Sequence, residues 1–481
     1  MYRRVFKNSL IYGVIPQLPK IASFFVLPLI TPFLTKVDYG IIGTLAAYIG
    51  AVGVLQMMGL DVALVNAFYK HPSQHKWYWR QIYGFTTLWA VVYAFILGTL
   101  LYFVIPEEAN EYRWLIVCMK VIPPLFFRPG EIMTYLNYLL RQKAVPIAVN
   151  SFLVGFLGIV LSYFFIAHMN WGYMGWVVAD FVTESLAGLI FCIPIFTKWK
   201  LLPIFNFKRR LIKNALRFSL PMVPHNYSAY MLDSSDRLIM ERLNVSTASI
   251  GKYSLAYSFG KYTDTVTNAL NQAIGPNLLE LIKSGQWKTY EELVFAFQSL
   301  VLSMCFMLSL WSPQWLPVLI PNPELLGNVE HLVIIVIMGY SYRPMYVGCT
   351  QLAFYYDKTS KLWRITFIAG VINIVLNLIF IPFFGLMAAA VVTFFSFMFM
   401  GFAGFGFQYY RERKELDIKP AFWLIMIVLL LVTALYFVQA AIITKVVISL
   451  SLFLLLLLAG LKFGYGMQYI LRRRLNVFMN K

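Results

Sequence analysis

Apolar runs of bilayer-crossing length, separated by short polar loops, recur from one end of this 481-residue chain to the other. A helix needs about 20 residues to cross the hydrocarbon core. The runs are continuous rather than alternating, which predicts helices and not a transmembrane barrel. The pattern predicts spans at 8–34, 39–66, 80–105, 112–140, 144–168, 172–196, 213–240, 248–276, 292–320, 330–356, 361–382, 385–410, 420–442 and 446–470, fourteen in all. The first run is too long for the core of a cleaved signal and reads as a span.

Composition agrees with an all-α polytopic membrane protein. The chain is 60% hydrophobic and 13% charged, where soluble domains carry about 25% charged residues. The net charge of +19 sits in short loops, with no extramembrane region large enough to hold a duplex, so nucleic acid is excluded as a partner. Basic residues cluster in alternate loops, such as Lys198, Lys200, Lys208, Arg209, Arg210 and Lys213 after the sixth span. That bias places both termini in the cytoplasm. Cys118, Cys192, Cys305 and Cys349 all fall in apolar runs without metal-site spacing, so neither a disulfide nor a metal is expected.

The chain also repeats itself. YGVIPQLPK, with Pro16 and Pro19, matches FSLPMVPHN, with Pro221 and Pro224. YGIIGTL, with Gly40 and Gly43, matches IGKYSLA, with Gly251 and Ser254. GFLGIVLSYFFI from Gly155 matches GVINIVLNLIFI from Gly370, and GYMGWVVA from Gly172 matches GLMAAAVV from Gly385. The order and offset are consistent. They predict two pseudo-symmetric six-helix lobes, 1–200 and 201–412, and two extra C-terminal helices in 413–481. An even number of spans per lobe makes the repeats parallel, an arrangement suited to alternating access with substrate held between them.

Polar residues inside spans mark where substrate or coupling ions would sit, because an ionised side chain at midplane costs about 3 kcal/mol or more. The seventh span holds His225, Asp233, Asp236 and Arg237; the bland reading of Asp236 and Arg237 is a structural ion pair. The eighth carries Tyr253, Tyr257, Lys261, Asp264, Asn268 and Gln272 on one stripe. Further candidates are Gln17 and Lys20 in the first span, Arg128 and Glu131 in the fourth, Asp180 and Glu184 in the sixth, and Tyr340 and Arg343 in the tenth. Lys20, Lys261, Arg343 and Arg128 form the candidate substrate-binding cations, since Lys and Arg are natural partners of phosphate. Gln17, His225, Tyr253, Tyr257, Asn268, Gln272 and Tyr340 are the candidate polar lining. Asp180, Glu184, Asp233 and Asp264 are candidates for charge balance or for proton or sodium coupling. The structural alternative pairs each cation with a carboxylate, Lys261 with Asp264 and Arg128 with Glu131.

No GxxxxGK[ST] loop, HExxH or GxSxG is present, and the outer loops are short. The expectation is a transporter with no cofactor rather than an enzyme.

Several stretches carry a family resemblance: LTKVDYGIIGTLAAY at 34–48, MGLDVALV at 58–65, FSLP at 218–221, SDRLIM at 235–240, GKYSLAYSFGK at 251–261 and NQAIGP at 271–276. The chain resembles the bacterial oligosaccharide flippases of polysaccharide biosynthesis, the O-antigen and capsule repeat-unit translocases of the multidrug/oligosaccharidyl-lipid/polysaccharide exporter superfamily. The resemblance implies a V-shaped exporter fold. It implies an inner-membrane flippase that moves undecaprenyl-diphosphate-linked oligosaccharide to the periplasmic leaflet for O-antigen (lipopolysaccharide), capsule or exopolysaccharide assembly. Its partners would be that lipid-linked oligosaccharide, membrane lipid and, transiently, the polymerase and glycosyltransferases of the pathway, with the monomer as functional unit. The rival readings are a peptidoglycan-precursor flippase, a cation-coupled multidrug exporter and, more remotely, a membrane polymerase or acyltransferase. Related drug exporters commonly use a first-span acid for coupling; this chain has Lys20 there and no acid.

Overall fold

The computed structural model describes residues 18–327, 329–356, 362–412 and 415–463; side chains of 18–21, 144, 273, 409 and 456–463 fall outside that set. All regular structure among the described residues is helical. In chain order the helices are α1 (Leu18–Ile30), α2 (Lys36–Gly53), α3 (Leu60–Lys70), α4 (His75–Val104), α5 (Arg113–Phe126), α6 (Arg128–Leu140) and α7 (Ala144–Tyr163). There follow α8 (Tyr173–Thr197), α9 (Arg209–Ser219), α10 (Met222–Asp233), α11 (Ser235–Arg242), α12 (Thr247–Lys283), α13 (Trp287–Leu310) and α14 (Ser312–Leu319). The last are α15 (Pro323–Leu326), α16 (Glu330–Gly339), α17 (Arg343–Tyr355), α18 (Leu362–Phe402), α19 (Gln408–Arg411), α20 (Pro420–Phe437) and α21 (Ile442–Phe463).

Seven helices among the described residues are long and apolar enough to cross a membrane. One of them, Leu362–Gly406, is 45 residues long, about twice what a crossing needs. It turns at Gly385, with φ 57° and ψ −136°. Gly172, the residue that the sequence repeat aligns with Gly385, has φ 52° and ψ −132° at the start of α8. Both lie in a region that only glycine enters readily. Two matched positions therefore make the same unusual turn ahead of the same repeat segment.

The two sites differ in what surrounds them, and that separates two effects. A Cβ on Gly385 would meet nothing within 4 Å, whereas one on Gly172 would lie 2.7 Å from Asp38 Oδ1. Asp38 accepts the Tyr173 amide at 2.8 Å, so crowding it would disturb that bond. Gly385→Ala is expected to cost about 1–3 kcal/mol from backbone strain alone. Gly172→Ala should cost more. Thermal unfolding of the purified variants measures both.

Several predicted spans are broken rather than straight. Span 39–66 stops at α2 and restarts at α3 after Met58 and Gly59, both at positive φ (47° and 71°). Span 112–140 is interrupted at Phe127, where Pro123 and Pro124 end α5 and Pro129 starts α6. Proline removes a backbone donor and crowds the preceding turn, so the chain bends there. Span 213–240 is three helices, α9 to α11. Span 330–356 is broken by a 3-10 turn at Tyr340–Tyr342, which sets Arg343 at the start of α17 with Pro344 behind it.

The chain divides into two compact units. Unit 1 is Met1–Leu255 with Leu319–Leu325; unit 2 is Ala256–Val318 with Leu326–Lys481. The division falls inside α12. In unit 1, α4 packs on α5, α8 on α6 and α7, and α2 on α11. One of its apolar clusters joins Ile41, Leu45 and Tyr48 of α2 to Tyr93, Leu97 and Leu101 of α4 and to Val177 of α8. Within unit 2, α16 packs on α18, and α13 on α16 and α20.

Candidate functional site

The polar stripe on α12 is the feature around which unit 2 arranges its charge. Asp264 is ion-paired with Arg343, which the 3-10 turn brings out at the start of α17. Asn268, one turn beyond Asp264, donates its amide to the other carboxylate oxygen at 3.0 Å. The side chains of Arg343 and Asp264 keep 23% and 16% of their exposure. They are half-buried charges that still reach open space. The Lys261 ammonium lies over the Tyr257 ring, 5.6 Å from its centroid.

The same two helices, α12 and α17, carry polar atoms that the described protein does not satisfy, one on Arg343 itself and two about two turns further along. Arg343 Nε, Asn271 Oδ1 and Gln351 Oε1 are buried and have no hydrogen-bond partner among the described residues. Asn271 and Gln351 converge on Gly275: a Cβ there would be 3.3 Å from Gln351 Nε2 and 3.7 Å from Asn271 Oδ1. Buried polar atoms left unmatched cost about 1–3 kcal/mol each, and such atoms call for an explanation. A polar ligand with acceptors for the guanidinium and donors for the amide oxygens would satisfy all three. Gln272, also on α12, is exposed.

A second charged cluster lies in unit 1. Arg128 pairs with Glu131 at 3.0 Å along α6. Lys120 of α5 pairs with Asp180 of α8 at 2.9 Å, the lysine 10% and the aspartate 51% exposed. Glu184 follows Asp180 by one turn and is exposed. The kink at Phe127 separates Lys120 from Arg128 and lets α5 and α6 present their cations as two short helices. Lys120 was missed by reasoning from the sequence. The signal was there: a lone lysine inside VCMKVIPP, where an intramembrane charge marks a partner or a path.

The opening half of α12 and the end of the α9–α11 segment form a third network, and it is structural. Tyr253 donates to Asp236, and Arg237 Nη1 lies 3.5 Å from the same carboxylate. Arg237 also donates to the Asp233 carbonyl at 3.1 Å and to Ser254 Oγ at 3.2 Å. Asp236 and Arg237 are 1% and 8% exposed, a buried pair with its hydrogen bonds provided. Asp233 itself is half-buried. His225 Nδ1 on α10 is buried without a partner among the described residues.

Tyr253, Tyr257 and Tyr340 are 0%, 1% and 1% exposed, so in this structure their rings are interior packing and do not line open space. Tyr340 stacks edgewise on Tyr257 and lies against Phe397. Gln17 and the Lys20 side chain lie outside the described residues. No cluster of three metal-ligating residues occurs among the residues described.

One buried cation was assigned to a loop by the sequence pattern. Lys445 of α21 is 1% exposed and donates to Gln314 of α14 at 3.1 Å. Its position within an apolar helix makes Lys445→Ala a test of packing: loss of the ammonium and its stem should destabilise the protein by about 2–4 kcal/mol, read by thermal unfolding, without changing substrate binding.

Apolar helices of membrane-crossing length, broken by proline and 3-10 turns and carrying half-buried ion pairs, define a polytopic helical membrane protein. Solved structures agree on the fold. The lipid II flippase MurJ in an inward closed conformation superposes with a TM-score of 0.68 at 13% identity, covering 94% of this chain and 99% of that one. An inward-facing multidrug resistance transporter of the MATE family gives 0.59 at 14% identity over 84% of this chain and 97% of its own. The DinF-BH multidrug transporter gives 0.53 at 16% identity, over 85% and 96%. No curated protein sequence matches the chain. The model of the family "Polysaccharide biosynthesis protein" matches residues 5–281, and the chain belongs to that family.

Proposed function

We propose that this protein is a flippase carrying undecaprenyl-diphosphate-linked oligosaccharide from the cytoplasmic to the periplasmic leaflet of a bacterial inner membrane. It works by alternating access between lobes 1–200 and 201–412, with 413–481 added as two further helices and fourteen spans in all. The observation that carries the reading is the Arg343 and Asp264 pair, with Arg343 Nε unmatched and the unmatched Asn271 and Gln351 oxygens about two turns further along α12 and α17. A diphosphate offers the acceptors that Arg343 and Lys261 can bind, and sugar hydroxyls offer donors to Asn271 and Gln351. Lys20 and Arg128 are kept as further candidate cations. Family membership in polysaccharide biosynthesis supports the glycan part.

Coupling to a proton or sodium gradient would fall to the acids that remain accessible, Asp180 and Glu184 first, with Asp233 and Asp264 behind them. The fold match to a lipid II flippase favours a second reading, a peptidoglycan precursor as cargo. The headgroup separates the two. Deleting the encoding gene is expected to accumulate lipid-linked oligosaccharide whose sugar is sealed from the periplasmic face. Accumulation of a peptidoglycan precursor instead would favour the second reading, and accumulation of neither would overturn both.

A further inference from the structure

The α8–α9 connection of unit 1 is not a slack linker. Arg80 of α4 donates to the Leu202 carbonyl at 2.8 Å, and the Ile204 amide returns a bond to the Arg80 carbonyl at 3.0 Å. Buried Gln81 accepts the Lys208 amide at 2.7 Å. The Ile204 backbone runs so close over Gly84 that a Cβ there would lie 2.0 Å from its oxygen, and Phe207 meets Phe85 edge to face at 5.7 Å. Five contacts in one short stretch fix where Lys208 and α9 begin.

What they fix is one wall of a cavity of about 440 Å³ between α3, the start of α4 and α9. That volume lies in the range of small-molecule sites, about 300–1,000 Å³. Its walls combine two chemistries. Lys208 and Arg210 supply positive charge, and Asn66 and Asn214 supply amides. His71 and Tyr78 are stacked with centroids 5.0 Å apart, and the Lys208 ammonium sits 5.2 Å from the centroid of the Trp77 ring. α9 adds apolar wall as well, with Leu211, Ala215 and Phe218 lining the cavity and Ile212 buried in the core beneath, so the helix is amphipathic.

We propose that this pocket is a docking site for the phosphate-bearing headgroup of a glycolipid, the cargo of the proposed function at the surface where it is collected. The inference rests on that reading. Phosphate would be held by Lys208 and Arg210, and the first sugar would stack on the aromatic wall and bond to the two amides. The aromatic side chains and the two amides argue for a sugar ring, whose C–H surface and hydroxyls they suit; a phosphatidylglycerol headgroup has no ring to pack there. Basic side chains at a membrane surface attract anionic lipid, so charge alone would not choose between them.

The test uses the full chain in phosphatidylcholine nanodiscs with undecaprenyl diphosphate N-acetylglucosamine as probe. Photocrosslinking is read from Phe218→benzoylphenylalanine in the pocket wall and, in a separate protein, from Gln272→benzoylphenylalanine on α12. The expected result is crosslinking at both positions, with Lys208→Ala/Arg210→Ala lowering the yield at 218 about tenfold or more and leaving 272 unchanged. Crosslinking at 272 with none at 218, or a yield at 218 indifferent to the two substitutions, overturns the pocket and leaves the flippase reading standing. Loss of the 218 crosslink on adding phosphatidylglycerol in modest excess gives the site to phospholipid and overturns the proposed occupant. Crosslinking at neither position overturns the flippase reading and this inference with it.

Discussion

Asp264→Ala is expected to lower the stability of the protein by about 3 kcal/mol, and Asp264→Ala/Arg343→Met to restore most of it without restoring transport. Removing one member of a mostly buried pair leaves the other charge uncompensated, at about 3–5 kcal/mol. The low end applies because both side chains keep some exposure. Replacing both charges removes the stranded group, and such double replacements are often neutral or better. A pair that served only packing would then be dispensable in every respect. If Arg343 also holds the diphosphate, the double variant unfolds like wild type and still fails to move substrate. Thermal unfolding and translocation in liposomes, measured on the same preparations, give the two numbers. A double variant that transports normally would reduce Arg343 to a structural role.

The second large effect is expected at the crossing of α2 and α12. Gly251 sits so close to α2 that a Cβ would lie 1.8 Å from the Lys36 carbonyl oxygen and 2.8 Å from the Gly40 amide. A Cβ on Gly40 would lie 2.0 Å from the Thr247 carbonyl oxygen. Gly40 and Gly251 are repeat-matched residues, and so are Gly43 and Ser254, whose Oγ would be 2.1 Å from a Cβ on Gly43. Each residue thus meets its own counterpart. The two matched helix starts therefore cross with local two-fold symmetry.

The neighbours at 40 and 251 are backbone and cannot rotate aside. Overpacking costs about 1–3 kcal/mol where side chains can shift and more where they cannot. Gly40→Ala and Gly251→Ala should therefore each cost about 3 kcal/mol or more. Gly43→Ala should cost less, since Ser254 is a side chain, and Gly43→Ala/Ser254→Gly should recover part of the loss. Gly53→Ala, which meets nothing within 4 Å, should be neutral or gain up to about 1 kcal/mol of helix propensity. Equal melting temperatures across the four single variants would contradict the crossing.

Much of this was legible in the residues. Apolar run length predicted the helices, and the 3.6-residue period predicted that Lys261, Asp264, Asn268 and Gln272 share a face of α12. The GYMG and GLMA match located two glycines that share one unusual turn. The bland reading of Asp236 and Arg237 as a structural pair is what the buried Tyr253 network displays. Other features depend on information a single helix does not carry. Periodicity puts Tyr253 and Tyr257 on a stripe with Lys261, but whether a stripe meets protein or open space depends on the helix packed against it. Hence those two rings are interior while Asp264 and Arg343 keep exposure. Asp264 was expected beside Lys261 by spacing, and Arg343 reached it because the Tyr340–Tyr342 turn redirects α17. The Lys120 to Asp180 bridge joins residues sixty positions apart, a separation that local spacing does not register.

The central claim is that a cationic, half-buried polar site moves a lipid diphosphate across the bilayer. The measurement that tests it most directly is headgroup translocation by the purified protein in liposomes. Undecaprenyl-diphosphate oligosaccharide is supplied on the inner leaflet, and an external glycosidase reports arrival outside, with proton and sodium gradients imposed in turn. Wild type is expected to speed equilibration, and Lys20→Ala, Lys261→Ala and Arg343→Ala, each shown to be folded, to slow it about tenfold or more, on the scale of losing one charge-assisted contact. A stable wild type that moves no headgroup under either gradient would contradict the account.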